Sequence, residues 1–263
     1  MQVNKLHFGD AIKEMESKLD DKSVDIAIID PPYNISSAST DVLDYKKSLA
    51  KSKNYKLFNE EWDKFDSIDH YITWTDQWLD VLFRKLKDDG SLFVFGSYHN
   101  IGLVNYVLQK QNRMIINDIC WYKRNAVPNI ACRRLQASYE TILWVAKDKK
   151  YRFNYKDVKS KYYDGDSIKK KDKQLRNVWD IPTKAERLYK HPSKKPVKVY
   201  ERCIDVAGLK DGVLLDCFAG SGTAALAAMN KNMNYVLIEN SEEYCNLIER
   251  RIQDYKALQK VDT

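Results

Sequence analysis

No Cys-x-x-Cys pair occurs among the five cysteines (Cys120, Cys132, Cys203, Cys217 and Cys245), and none has a histidine nearby at zinc-ligand spacing. A metal site is therefore not expected. An odd number of scattered thiols also argues against a disulfide framework and for reduced, mostly structural cysteines. No apolar stretch approaches the roughly 20 residues that cross a bilayer. The opening Met1-Gln2-Val3-Asn4-Lys5 has no apolar region of the kind a signal peptide carries. These absences predict a cytoplasmic protein with no membrane partner. There is no internal repeat.

What is present is a chain of 263 residues with 44% hydrophobic content, enough for one large α/β domain carrying an insertion, or for two small domains. The net charge of +7 is mild but unevenly spread. Residues 123–200 hold 22 Lys and Arg against 8 Asp and Glu, whereas the rest of the chain holds 22 against 29. A basic segment joined to an acidic body points to a polyanionic partner, and its many aromatic residues favour nucleic acid.

Apolar patterning predicts strands at 6–8, 24–30, 91–95, 115–122, 141–146, 213–216 and 235–238. It predicts helices at 11–19, 68–86, 101–109, 197–206, 223–230 and 242–258. Asp88-Asp89-Gly90 reads as a turn, and 36–56 as a mobile loop. The strand at 24–30 is apolar almost throughout, as expected of a parallel strand covered on both faces. The alternation indicates a doubly wound, mostly parallel α/β sheet. Residues 148–190, rich in Lys and Tyr and poor in aliphatics, read as an inserted recognition segment between parts of one catalytic domain, 1–147 and 191–263.

Two motifs carry chemistry. Gly220-Ser221-Gly222-Thr223-Ala224-Ala225 fits G-x-G-x-x-G/A between a strand and a helix, and Glu239 ends the next strand. Glycines admit a close ligand, and an acidic residue at that spacing can accept ribose hydroxyls. NAD and S-adenosyl-L-methionine (AdoMet) both carry an adenosine, so the loop does not choose between them. The second motif, Asp30-Pro31-Pro32-Tyr33, ends an apolar strand. An aromatic amine is a poor nucleophile because its lone pair is delocalised into the ring. A carboxylate (Asp30) and a proline-fixed carbonyl (Pro31) accepting its two N–H hydrogens would return that pair to nitrogen. Tyr33 could stack on the base, which must first leave its duplex.

With both motifs in hand, nearly the whole chain resembles the permuted β group of DNA amino-methyltransferases, in which the catalytic motif precedes the AdoMet loop. Asp30-Pro31-Pro32-Tyr33 matches the catalytic motif, and Phe218-Ala219-Gly220-Ser221-Gly222 matches the AdoMet motif. His191-Pro192-Ser193-Lys194-Lys195-Pro196 resembles the family's His-Pro-x-x-Lys-Pro, and Gly9-Asp10 its early Gly-Asp. Trp121-Tyr122-Lys123-Arg124-Asn125, Pro128 and Glu140-Thr141-Ile142-Leu143 resemble its middle section. Cys217 stands where proline is usual, and Ser193-Lys194 where Thr-Gln is common.

The resemblance implies a Rossmann-like AdoMet methyltransferase fold, circularly permuted. It implies a cofactor site of Asp10, Asp30, His191, Lys195, Asp216, Phe218, Ala219, Gly220, Ser221, Gly222, Thr223 and Glu239. It also implies adenine N6 as target, since cytosine-N4 enzymes more usually begin the motif with serine. A short GATC-like site in a restriction–modification system is in keeping with it, as is a homodimer. Cytosine-C5 chemistry would call for a nucleophilic cysteine after proline, and no cysteine here follows one.

Phosphate contacts are expected from Lys123, Arg124, Arg133, Arg134, Lys169, Lys170, Lys171, Lys173 and Arg176. Base readers are expected among Arg133, Arg134, Tyr162, Tyr163, Gln174, Arg176 and Asn177. Tyr45 or Tyr55 could close over an extruded base. Double-stranded DNA is the expected partner, single-stranded DNA a secondary one. Cytosine N4 and an RNA amine remain open as targets, and an NAD-dependent oxidoreductase would use the same glycine loop.

Overall fold

The structure is a computed structural model that describes residues 1–35, 63–126, 135–160, 174–183 and 194–261. The expected loop at 36–56 with Tyr45 and Tyr55, together with Arg133, Arg134, Tyr162, Tyr163, Lys169, Lys170, Lys171, Lys173 and His191, lies outside them.

In chain order the described elements are β1 (Lys5–Phe8), α1 (Ala11–Lys18), β2 (Val24–Ile29), α2 (Ile68–Lys85), β3 (Leu86–Gly96), α3 (Ile101–Lys110) and β4 (Met114–Tyr122). There follow β5 (Tyr139–Ala146), α4 (Tyr155–Ser160), β6 (Val178–Asp180), α5 (Val197–Ala207), β7 (Val213–Asp216), α6 (Thr223–Asn230), β8 (Asn234–Glu239) and α7 (Glu242–Val261). The strands form one sheet in the order β1-β8-β7-β2-β3-β5-β4-β6. All neighbours are parallel except at β5, which runs against both β3 and β4.

Strand order reverses between β2 and β7, which pair in parallel through Ile26↔Leu214 and Ala27↔Leu215. In open α/β sheets a ligand crevice forms outside the carboxyl ends of strands at such a switch point. Alternation along β2 sends Ile26 and Ile28 to one face and Ala27 and Ile29 to the other. The first face packs against α5, α6 and α7 through residues such as Ile204, Ala224 and Ile248. The second packs against α1, α2 and α3 through Met15, Trp78, Leu82 and Val107.

The turn expected at Asp88-Asp89-Gly90 is a bulge instead. β3 runs from Leu86, and between Val24↔Leu86 and Ile26↔Ser91 its extra residues stand opposite Asp25 alone. The buried Asp25 carboxylate accepts both from Lys87 Nζ at 2.9 Å and from Val213 N–H at 2.9 Å, joining β3 and β7 to β2. Extra residues in one strand bend it locally without ending the pairing.

Parts of 148–190 belong to the body of the fold. β6 extends the main sheet along β4, with Trp179 buried. Val158 of α4 joins the core beneath α5, and Asn154 N–H donates to Val206 O at 3.2 Å. A segment poor in aliphatics enters the core here through isolated large side chains, which periodicity does not reveal.

Candidate active site

β2 ends at two prolines, which cannot donate to a sheet ladder. The Pro32 carbonyl accepts from the Tyr71 hydroxyl at 2.8 Å, and that hydroxyl is held by Asn100 Nδ2 at 3.1 Å. Both Tyr71 and Asn100 are fully buried, so α2 and the turn before α3 fix the backbone of the motif. Asp63, also fully buried, accepts the N–H groups of Tyr33, Asn34 and Ile35 at 2.6, 2.8 and 2.7 Å. Three successive amides turned onto one carboxylate form a nest, with Asn34 in the left-handed region at φ 57°.

Around Asp30 lies a buried charge cluster. Lys195 Nζ donates to Asp30 Oδ2 at 2.6 Å, and the Tyr33 hydroxyl donates toward Oδ1 at 2.7 Å. Glu140 of β5 lies 3.1 Å from the same hydroxyl through Oε2 and 3.4 Å from Lys195 Nζ, while Lys123 binds its other oxygen at 2.9 Å. Burial pushes the Asp30 carboxyl up; the Lys195 ammonium offsets this, and the Glu140 charge adds to it. Burial also opposes ionisation of Glu140, but Lys195 and Lys123 together hold its carboxyl below the usual range. Lys195 sits over the Tyr33 ring, 5.1 Å from its centroid.

The second half of the site is the loop after β7. Gly220 and Gly222 take φ values of 50° and 73°, the left-handed region that favours glycine. A side chain at Gly222 would also meet Ile248 of α7 at 3.0 Å. Glu239, at the end of β8, accepts Gly220 N–H at 2.7 Å and Ser241 N–H at 2.9 Å. Burial nevertheless raises its carboxyl above the ordinary value. Buried Arg251 reaches back from α7 to the Ser221 carbonyl at 2.8 Å and the Thr223 hydroxyl at 3.2 Å. Thr223 in turn donates to the Lys195 carbonyl at 3.2 Å, tying the loop to the charge cluster. Phe218 packs against Trp74 and Trp78, at centroid distances of 5.4 and 5.6 Å.

One cavity of about 760 Å³ spans both halves. Asp10, Asp30, Pro31, Pro32, Tyr33, Lys195, Phe218, Ala219, Gly220, Ser221, Thr223 and Glu239 all line it. Two residues expected at the cofactor do not. Asp216 is buried beneath the loop, where it accepts Phe218 N–H at 3.1 Å. Burial pushes its carboxyl well above the usual range. Gly222 is spent on the turn into α6 and its contact with Ile248. Asp10 lines the cavity and also caps α1, accepting Lys13 N–H at 3.1 Å.

Two residues expected at DNA phosphates have protein partners. Lys123 lines the cavity, bound to Glu140, and Arg124 makes two bonds to Asp180 at 2.9 and 2.8 Å. Of the other described candidates, Gln174, Arg176 and Asn177 are exposed. Sequence reasoning missed Asp63, Tyr71, Asn100 and Arg251. A lone polar residue far from a motif carries no local signal. Glu140 stood in a matched segment, but without a role.

Residues 24–250 match the DNA methylase family, whose members act on N6 or N4 amines. The chain is 34% identical to the Type II methyltransferase M2.MboI of Moraxella bovis over 262 residues, 97% of this chain and 89% of that protein. It is 31% identical to the Type II methyltransferase M.HinfI of Haemophilus influenzae over 264 residues, 97% of this chain and 69% of that one. Its fold is similar to that of the M1.HpyAVI–SAM complex, with a TM-score of 0.63 and 22% identity over 94% of this chain and 98% of the other. The chain belongs to the DNA methylase family. Among the described residues no helix is long and apolar enough to cross a membrane.

Proposed function

We propose that this DNA methylase moves a methyl group from AdoMet onto the exocyclic N6 of an adenine extruded from a short, specific duplex site. The observation that carries this reading is the shared cavity: the Asp30 motif and the glycine loop leave adjacent parallel strands and open onto one space. The donor set fits the cofactor. A buried carboxylate (Glu239) suits vicinal ribose hydroxyls, Phe218 and Trp74 supply an apolar wall, and Asp10 and Lys195 supply charge near the loop. Bound AdoMet supplies an electrophilic methyl on a sulfonium.

The chain's own residues prepare the nucleophile. Asp30 and the Pro31 carbonyl accept the two N–H hydrogens of the amine, drawing its lone pair out of the ring. Asp63 and Tyr71 hold that backbone in place before substrate arrives, so little reorganisation is left for the reaction itself. Lys195 keeps Asp30 oriented, and with its ammonium over one face of Tyr33 it leaves the opposite face of that ring to a base.

Support for adenine is the aspartate that opens the motif; cytosine N4 is the rival within the family. The Type II relatives support a place in a restriction–modification system, acting on cytoplasmic DNA. The uneven charge of the chain supports a duplex partner, and a homodimer is in keeping with the family resemblance. Nucleoside mass analysis of DNA treated with the protein and methyl-labelled AdoMet tests the reading. N6-methyladenine is expected. N4-methylcytosine would move the target to the rival amine, and no labelled nucleoside would overturn the proposal.

A further inference from the structure

The Tyr33 hydroxyl has one proton and two carboxylates within reach, Asp30 Oδ1 at 2.7 Å and Glu140 Oε2 at 3.1 Å. A phenol donates one hydrogen bond at a time, so this proton has two positions. In the first it occupies Oδ1 of the residue that must accept the substrate amine, while Lys195 occupies Oδ2. An Asp30 bonded on both oxygens is a weakened acceptor. We propose that Glu140 is a positioning residue: when the amine docks, Glu140 takes the Tyr33 hydroxyl and releases Asp30 Oδ1 to the substrate.

The surroundings suit that exchange. Glu140 comes from β5, an antiparallel strand on the far side of β3 from the clamp strand. It is anchored from β4 by Lys123 at 2.9 Å and stands 3.4 Å from Lys195. Two ammoniums keep Glu140 an ionised acceptor, and burial keeps Tyr33 a protonated donor, its hydroxyl pushed well above the usual phenol range. The proton shifts between acceptors without leaving the tyrosine, so no group changes charge. Lys195 follows the same geometry, since it can lean from Asp30 to Glu140.

The inference rests on Asp30 as the amine clamp, and its test separates the two claims. Single-turnover methyl transfer is measured for Glu140→Gln, Tyr33→Phe, the double variant and Asp30→Ala, with AdoMet affinity followed by calorimetry. A neutral acceptor binds the hydroxyl roughly half as strongly, so Glu140→Gln is expected to slow transfer about tenfold with AdoMet affinity unchanged. In the Tyr33→Phe background there is no hydroxyl to take over, and adding Glu140→Gln is expected to cost less than about twofold.

A pH profile adds a readout that a merely structural role would not move. Asp30 is faced by Tyr33 from its own loop, Lys195 from the segment before α5, Tyr200 from α5, Glu140 from β5 and Asp216 from β7. Removing the Glu140 charge lowers the Asp30 pKa, so the acid limb of the rate profile shifts to lower pH while the plateau falls. Additive penalties in the double variant, or an unmoved acid limb, would overturn the role of Glu140. Should Glu140→Gln lose AdoMet binding, Lys123→Gln, which strips Glu140 of its nearest cation, is expected to show the same non-additivity with Tyr33→Phe. Wild-type transfer by Asp30→Ala sinks the clamp and this inference with it. An inactive Asp30→Ala with an additive cycle sinks only the inference.

Discussion

Lys195 Nζ and Asp30 Oδ2 lie 2.6 Å apart in the protein interior, an ion pair joining the segment before α5 to the end of β2. The pair orients the acceptor for the amine. Removing one partner of a buried pair strands the other, at a cost of about 3–5 kcal/mol. Glu140, 3.4 Å from Lys195, softens that cost when Asp30 is the residue removed. Asp30→Ala is therefore expected to fold and keep AdoMet affinity within about threefold while losing at least about a hundredfold in methyl transfer. Calorimetry and single-turnover assays read the two separately, and wild-type transfer by this variant would refute the clamp.

The acid limb of activity follows from the same cluster. Ionised Asp30 is the stronger acceptor of an N–H, and burial, with Glu140 adding to it, lifts its pKa despite Lys195. Transfer is expected to fall as pH drops through a midpoint above the ordinary aspartate value. Lys195→Met removes the offsetting cation and moves that midpoint higher still. A profile flat down to the ordinary value would contradict the burial argument.

Glu239 holds the Gly220 and Ser241 amides and faces the cavity. Hydrogen bonds to a charged group contribute about 1.5–3 kcal/mol each. Glu239→Ala is expected to weaken AdoMet binding by about ten- to a hundredfold, measured by titration calorimetry, with the secondary structure intact by circular dichroism. An unchanged affinity would remove Glu239 from the cofactor site.

Gly222 combines a φ of 73° with a would-be Cβ 3.0 Å from Ile248. Gly222→Ala places a side chain in the left-handed region, at about 1–2 kcal/mol, and crowds α7. Arg251→Met leaves the Ser221 carbonyl without its buried donor, at about 1–3 kcal/mol for an acceptor left unpaired. Both variants are expected to lower the thermal midpoint by several degrees. Bound AdoMet recovers part of the loss by mass action. A midpoint equal to wild type in both would show that the loop is braced elsewhere.

Much of this was legible locally. Continuous apolar runs gave β2 and β7 almost to the residue, because a strand covered on both faces needs apolar side chains on both. The Asp30 motif and the glycine loop were legible because prolines and left-handed glycines leave marks within a few positions. Asp63 and Arg251 were not, since a buried carboxylate that gathers three amides looks like any loop aspartate until the chain folds. The protein partners of Lys123 and Arg124 were not legible for a related reason. Positive charge in a basic segment reads as a surface for polyanions, yet Glu140 holds Lys123 at the cavity and Asp180 pairs with Arg124, which stays exposed.

The sequence by itself determined the two chemical halves, a proline-fixed carboxylate and a nucleotide loop with its distal acid, because each depends on short-range backbone conformation. Their meeting was decided by the tertiary structure alone, through the parallel pairing of Ile26 with Leu214 and Ala27 with Leu215. So was the company that Asp30 keeps. Lys195 and Glu140 reach it from the approach to α5 and from β5 respectively, and contacts of that range arise from sheet order, which no local pattern encodes.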